Sequence, residues 1–380
     1  MGCVRLLPLV AGICLATTVA AAAATALPSL EQALAARRDV YGEAAMAQPN
    51  GASYEFLAPL LPPPRYVHAD FRYYPIVLSA PNASLKARLI SNGSGVNLSG
   101  GSRSWHDLGV PFTFRVGPDE FLFGGLRDRL AEPTLAEGFL PIPEIRYRHA
   151  SPFFSEGAVP LTQEPLRRPP EIYALESFAS TDPRLAEHAV VFVKFSLAQG
   201  TSGTVSVTVD DQTPLTFAEG RLIDAKGGVV AIADPTWKWE RQRLVAKITT
   251  KNFATIAFAT KPLAASTAAA LKIDYDAERV ACADTWRKIL SAAMKVETPE
   301  PLVNNAWRHL LLQNFQLIKG DRMHYSSGNQ YDLLYVADGS DAALEMFMWG
   351  YERDMRRLLV ALLDFTRKGL EYHQAGFKLN

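Results

Sequence analysis

Val190-Val-Phe-Val-Lys-Phe-Ser-Leu197, a break at Gln199-Gly200-Thr-Ser-Gly203, then Thr204-Val-Ser-Val-Thr-Val209 is the stretch that decides the fold. The first run is crowded with β-branched and aromatic residues and ends at glycines, which reads as a strand. The second alternates perfectly, placing Val205, Val207 and Val209 on one face. Working outward, strand-like runs recur at Gly228 to Ala233, Arg243 to Thr249, Ala254 to Thr260 and Leu271 to Tyr275. Turn residues separate them: Asp210-Asp211, Lys226-Gly227-Gly228, Asp234-Pro235 and Lys251-Asn252. Roughly 200 residues of this kind, from Tyr66 to about Asp276, predict an antiparallel sandwich of large sheets. No internal repeat of fixed period is evident.

At about Ala277 the period changes to that of helices. Trp286, Ile289, Leu290 and Ala293 mark one helical face. Trp307, Leu311, Phe315 and Ile318 mark the next, opened by Thr298-Pro299-Glu300. A third helix is expected near Ser340. A fourth runs from about Glu352 to Lys368-Gly369, with Met355, Leu358, Leu359 and Leu362 inside and Arg353, Arg356 and Arg357 outside. The second and third are joined by a loop at 320–337, long enough to suggest a function. The predicted class is therefore multidomain, β then α.

Upstream, Arg5, the apolar run Leu6 to Val19 and Ala24-Thr25-Ala26 read as a secretory signal with a small-x-small cleavage site. The expectation is a periplasmic or secreted protein with no stable membrane anchor after cleavage. Cys3 and Cys14 leave with the signal. Cys282 then stands alone and reads as a small core residue rather than a disulfide or zinc ligand. Leu27 to Gln48 suggests a short helix and lead-in, and Pro62-Pro63-Pro64 stiffens the entry to the sandwich. The expected division is 1–26 signal peptide, 27–64 lead-in helix and linker, 65–276 β-sandwich, 277–380 α-helical domain. With 39 basic and 39 acidic residues the formal charge is +0, so no nucleic-acid partner is expected. His149, His309, His324 and His373 lack a metal-ligand spacing, so no metal and no cofactor is expected.

Candidate chemistry gathers in Asn329-Gln-Tyr-Asp-Leu-Leu-Tyr-Val-Ala-Asp338-Gly-Ser-Asp341, followed by an apolar run to Gly350. Tyr331 and Tyr335 sit four apart, and Asp338 and Asp341 follow at the mouth of a helix. Aromatic rings that stack on sugar faces, beside carboxylates that accept hydroxyl hydrogen bonds, suit a carbohydrate site. The simpler reading is an N-cap at Asp338 or Ser340 with core aromatics, Asp341 complementing the helix dipole. Elsewhere the simpler readings prevail. Trp237 and Trp239 share a strand face as packing aromatics, and His106-Asp107 is a surface turn. Asn82, Asn92 and Asn97 fit the glycosylation pattern, which matters only in a eukaryotic host. His324 lies in the long loop, where contact with a substrate is the lesser reading. No phosphate-binding loop or nucleophile elbow is present.

A large β-sandwich followed by antiparallel helix pairs resembles the six-hairpin glycosidases, bacterial glucoamylase-like enzymes among them. These carry an N-terminal β-supersandwich ahead of an (α/α)₆ toroid. Tyr331-Asp-Leu-Leu-Tyr335-Val-Ala-Asp338, then Ala342-Ala-Leu and Gly350-Tyr351, is similar to their aromatic loop that ends in an aspartate opening a toroid helix. The resemblance spans about residues 60–380. It implies the first helical hairpins of a toroid over 277–380, a carbohydrate substrate, and Asp338 on the hydroxyls of the sugar at the cleavage point. Ala337 departs from the arginine that often precedes that aspartate, which leaves the particular sugar open. The family cleaves glycosidic bonds with a carboxylic acid and a carboxylate base from later hairpins. About 100 helical residues are too few for twelve helices, so the catalytic pair is expected beyond residue 380, in a longer enzyme. Two alternatives stand beside an exported hydrolase: a disaccharide phosphorylase of the same architecture, and a non-catalytic secreted carbohydrate-binding protein. Polysaccharide lyases normally place the helices first.

Overall fold

A computed structural model describes residues 75–98, 110–149, 170–209, 214–270, 274–327, 332–367, 372–374 and 377–379, with parts of 29–56. The expected signal peptide, Pro62-Pro63-Pro64, His106-Asp107 and Tyr331 lie outside them. The chain divides into two units, Met1–Pro63 and Pro64–Asn380. In the first, helix α1 (Val40–Met46) is capped by Asp39, whose Oδ1 accepts from Gly42 N at 2.8 Å.

The second unit holds the sandwich and the helices. In chain order its strands are β1 (Ile76–Leu78), β2 (Ala87–Leu89), β3 (Gly95–Leu98), β4 (Val110–Val116), β5 (Phe121–Leu122) and β6 (Thr134–Leu135). Next come β7 (Pro143–His149), β8 (Glu171–Ala179), β9 (Val190–Gln199), β10 (Gly203–Val209), β11 (Leu215–Ala218) and β12 (Arg221–Asp224). β13 (Val229–Ala233), β14 (Trp237–Glu240), β15 (Arg243–Ile248) and β16 (Ala254–Leu263) complete the sandwich. They form two eight-stranded antiparallel sheets. The first runs β1-β2-β3-β4-β10-β15-β14, with β5 beside β4, and the second runs β11-β12-β13-β16-β9-β8-β7-β6.

Strand β9 shows why its sequence is nearly all apolar. Val191, Val193, Phe195 and Leu197 point into the core between the sheets. Val190 and Phe192 point the other way, into a second core shared with the helices. A strand covered on both faces has no polar side to show, so alternation gives way to a continuous run. β10 belongs to the first sheet, and its Val205 and Val207 are buried as the alternation requires. Trp237 is buried and meets Phe195 edge-on at 6.0 Å, while Trp239 stacks on Phe217 at 5.8 Å, so both pack the sandwich.

Besides two short helices at Pro183–Ala186 and Ala265–Ala270, the long helices are α2 (Tyr275–Ser291), α3 (Pro301–Leu317), α4 (Val336–Met348) and α5 (Glu352–Arg367). Trp286, Leu311, Phe315, Leu358 and Leu362 are buried, as the 3.6 spacing predicts. Cys282 is buried too, and burial pushes its thiol up to about 12. One polar knot welds α2 to the second sheet. Glu176 of β8 takes Arg279 Nε at 2.8 Å and Nη2 at 2.9 Å, Tyr275 Oη at 2.8 Å, and Lys194 Nζ at 3.3 Å. Burial alone would raise the Glu176 carboxyl, but the bonds from Arg279 and Tyr275 outweigh it and hold it below its ordinary value.

Four expectations need correction. Tyr275 does not end a strand; Asp274 caps α2 through Asp276 N and Ala277 N, which makes Tyr275 the first helical residue. Helix α3 opens at Glu300-Pro301, one residue pair later than Thr298-Pro299 suggested. Helix α4 starts at Val336, four residues before Ser340, so Asp338 and Ser340 lie inside it and neither is the N-cap. Asn92 and Asn97 are buried, and Asn92 Nδ2 donates to Gly124 O at 3.0 Å, so these two are closed to a glycan. Among the described residues no helix is long and apolar enough to cross a membrane.

Candidate functional site

The segment between α3 and α4 is shorter as a loop than its sequence suggests, because its first part is a hairpin. β17 (Ile318–Lys319) pairs with β18 (Arg322–Met323) across Gly320-Asp321. Gly320 takes a φ of 63°, which a residue with a side chain adopts only with strain. Ile318 and Met323 are buried and anchor the hairpin. The sandwich holds it from outside. Gly320 N donates to Asn82 O at 2.9 Å, Asn82 N donates to Phe315 O at 3.0 Å, and Arg357 of α5 donates to Gly320 O.

Beyond the hairpin, residues 324–327 and 332–335 gather around Asp332. Its side chain is 1% exposed. Oδ1 accepts from His324 Nδ1 at 2.7 Å, and Oδ2 accepts from Lys319 Nζ. A carboxylate only accepts, so His324 carries its proton on Nδ1. Burial would raise the Asp332 carboxyl; the bonds and charges of His324 and Lys319 prevail and bring it down to about 2. Tyr325 N donates to Leu333 O at 3.0 Å, closing the loop.

Behind this lock stands Lys86, from the turn before β2. It is buried, and its Nζ donates to Gln316 O and, at 3.2 Å, to Ile318 O. These are carbonyls at the C-terminal end of α3, where a cation complements the helix dipole. Burial, followed by the charge of Lys319, lowers the Lys86 ammonium to about 7, with Asp332 opposing. Sandwich, hairpin and loop thus meet in one polar cluster of Lys86, Lys319, His324 and Asp332, in which Lys86 and Asp332 are buried and Lys319 and His324 partly so.

The residues singled out from sequence fall around this cluster. Tyr335 is the N-cap of α4 and is buried, its ring 5.5 Å from Tyr325 in a T-shaped contact. Tyr325 is 56% exposed and is the ring this pair presents to solvent. Asp338 lies in the first turn of α4, half-buried, where its charge complements the helix N-terminus. Asp341 is exposed one turn on. Ser340 Oγ donates back to Val336 O at 2.7 Å. The sequence reading missed Asp332, Lys319 and Lys86. A signal existed: a single acid inside Tyr331-Asp-Leu-Leu-Tyr335, a context too apolar for a solvated carboxylate. Its lysine partners could not be found that way, since Lys86 is contributed by a distant turn.

Along one side of the loop runs a groove of about 540 Å³, between β1, the β6–β7 edge, α3 and Ser326-Ser327. A smaller hollow of about 290 Å³, bordered by Phe139, Trp307 and Arg308, lies at the α2–α3 connection. Among the described residues no group of three or more His, Cys, Asp or Glu is placed to hold a metal ion. Chemically, the site offers the exposed ring of Tyr325, with acids in the helix turns that follow.

Neither a protein-family profile nor a curated protein sequence matches this chain. Among solved structures, the chain is similar to one provisionally assigned as a kojibiose phosphorylase from the human microbiome, with a TM-score of 0.37 and 9% identity. The likeness covers 67% of this chain and 41% of that one, so the chain spans less than half of that protein's length.

Proposed function

We propose that this chain is a carbohydrate-active protein of the six-hairpin glycosidase kind, exported, and that residues 324–341 hold a sugar beside a glycosidic bond to be hydrolysed. One observation carries the reading: a double-sheet sandwich precedes paired helices, and the loop entering α4 ends in an acid of the first helical turn. In this reading Tyr325 stacks on the sugar, and Tyr335 fixes the Tyr325 ring from behind. Asp338 and Asp341 accept hydroxyl hydrogen bonds, which a carboxylate does at about twice the strength of a neutral acceptor. The locked cluster around Asp332 keeps these groups in place, so that little ordering entropy is lost when the sugar arrives. Hydrolysis with inversion uses one carboxyl group as acid and a second as base; the reading assigns neither to a residue named above.

The test is calorimetric titration of the full-length protein, as its natural source makes it, with a panel of glucose disaccharides, followed by product analysis with and without inorganic phosphate. Binding that Asp338→Ala weakens at least tenfold, with glucose released in water alone, is the expected result. A sugar phosphate formed only with added phosphate moves the reading to a phosphorylase. Binding without turnover, unchanged in Asp338→Asn, moves it to a carbohydrate-binding protein, and no binding to any member of the panel overturns it.

A further inference from the structure

The groove beside the loop has a lining that specifies a ligand. Its walls are apolar and include four prolines, Pro75, Pro133, Pro141 and Pro143. Two of its sides are sheet edges: β1 ends the first sheet and β6 ends the second. Free edges invite an extended peptide, which adds as another strand through main-chain hydrogen bonds. Proline removes the N–H such pairing needs, so prolines along these edges disfavour a peptide.

The polar groups lie on the opposite side, on α3 and the loop, and none of them is a fixed charge. His309 Nδ1 bonds Phe139 O at 2.8 Å, so Nδ1 carries the proton and Nε2 is left as an acceptor on a ring that lines the groove. Burial lowers the His309 pKa, which keeps the ring neutral. Gln313 stands one turn on, and its side chain is exposed. Ser327 Oγ donates to Gln316 O at 3.2 Å, and Ser326 adjoins it. Gln316 Nε2 is a buried donor with no acceptor among the described residues. Amides and hydroxyls both donate and accept, as do the hydroxyls of a sugar. An ionic ligand entering here would lose its hydration and meet no opposite charge among the lining side chains.

We infer that this groove is a second binding site, for a neutral polyhydroxylated chain such as an uncharged oligosaccharide. It adjoins Tyr325 through Ser326 and Ser327 but uses none of the acids at the head of α4. The inference rests on the reading of the protein as carbohydrate-active, and it adds a place where a longer glycan is held away from Asp338.

Four proteins separate the two sites: wild type, Asp338→Asn, and Asp338→Asn combined either with Ser326→Trp, which fills the groove, or with Gln313→Ala. Gln313→Ala, at an exposed helix position, serves as a milder groove variant. Circular dichroism confirms that each folds. Maltotetraose, cellotetraose and laminaritetraose are titrated calorimetrically, with tetragalacturonate as the charged counterpart. The expected result is that at least one neutral tetrasaccharide still binds Asp338→Asn, that Ser326→Trp weakens this residual binding at least tenfold, and that Gln313→Ala weakens it severalfold. Tetragalacturonate does not bind there. Binding abolished by Asp338→Asn alone, or residual binding in Asp338→Asn that Ser326→Trp and Gln313→Ala leave unchanged, overturns the groove site while leaving the proposed function intact. Stronger binding of tetragalacturonate overturns the neutral-ligand assignment. No binding of any tetrasaccharide to the wild type overturns both.

Discussion

In an Asp332→Asn variant, Lys319 and His324 lose the charge that they share. The wild-type carboxyl lies at about 2 against an ordinary 3.8. At ~1.36 kcal/mol per pKa unit, that difference is worth about 2.5 kcal/mol at neutral pH. Removing one partner from a buried ion pair generally costs about 3–5 kcal/mol, because the remaining charge stays buried without compensation. Here the stranded charge is Lys319, with Lys86 close behind it. We therefore expect Asp332→Asn to lower the unfolding free energy by about 3 kcal/mol at pH 7. The sign of the pH dependence follows from a folded-state carboxyl that is depressed. Its contribution is complete above about 3.8 and is lost as pH falls through about 2. The assay is urea unfolding of both proteins, followed by tryptophan fluorescence at pH 7, 5, 4 and 3. The gap between them should be widest at pH 5–7 and narrow toward pH 3. Adding Lys319→Met to the variant should recover part of the loss. A gap below about 1 kcal/mol at pH 7, or one that stays constant into acid, would refute the electrostatic account of the loop.

Lys86 acts with the same sign in an alkaline window. Its folded-state pKa is lowered to about 7, so the unfolded chain binds more protons from there up to about 10.5, and folding stability rises with pH across that range. Paired urea titrations at pH 7 and 9.5 should show the wild type gaining on Lys86→Met; a constant difference would contradict this. Glu176→Ala leaves Arg279 and Lys194 facing each other without their carboxylate, and should cost roughly 3–5 kcal/mol, read as a lowered urea midpoint. Tyr325→Ala should weaken sugar binding at least fivefold while leaving the urea midpoint within error, since its ring is largely in solvent; a matched loss of stability would mark Tyr325 as a packing residue. Cys282 should resist alkylation at pH 8 in native protein and react only in urea, as peptide mapping would report, because burial raises its thiol.

What the sequence discloses follows from whether the forces involved are local. Strand β9 is legible because two buried faces leave an uninterrupted apolar run, and α5 because Leu358 and Leu362 repeat at helical spacing while Arg353 and Arg356 face solvent. The start of α4 is misread because Asp338 and Ser340 have the chemistry of caps. The true N-cap, Tyr335, makes no side-chain capping bond and is held by tertiary packing instead. Sequence points to the loop as the place of chemistry but not to its keystone. Asp332 is recognisable only as an acid out of place, and its relation to Lys86 exists only after the sandwich has folded against α3. Burial of Asn92 and Asn97 is equally invisible, since a three-residue pattern carries nothing about sheet edges.

The second sheet's double coverage has a consequence for synthesis. Its outer aromatics, Phe178 and Phe192, are sealed by Tyr275 and the helices that follow. The strands are complete at Leu263, yet the last covering helix ends at Arg367, about a hundred residues later. At ~5–20 residues per second a ribosome needs roughly 5–20 s to make that stretch. For that time the nascent sandwich carries a sticky face that no later rearrangement of its own strands can hide. A shortened chain ending near residue 270 would keep that face permanently, and would be a client for holding chaperones rather than a free-standing domain.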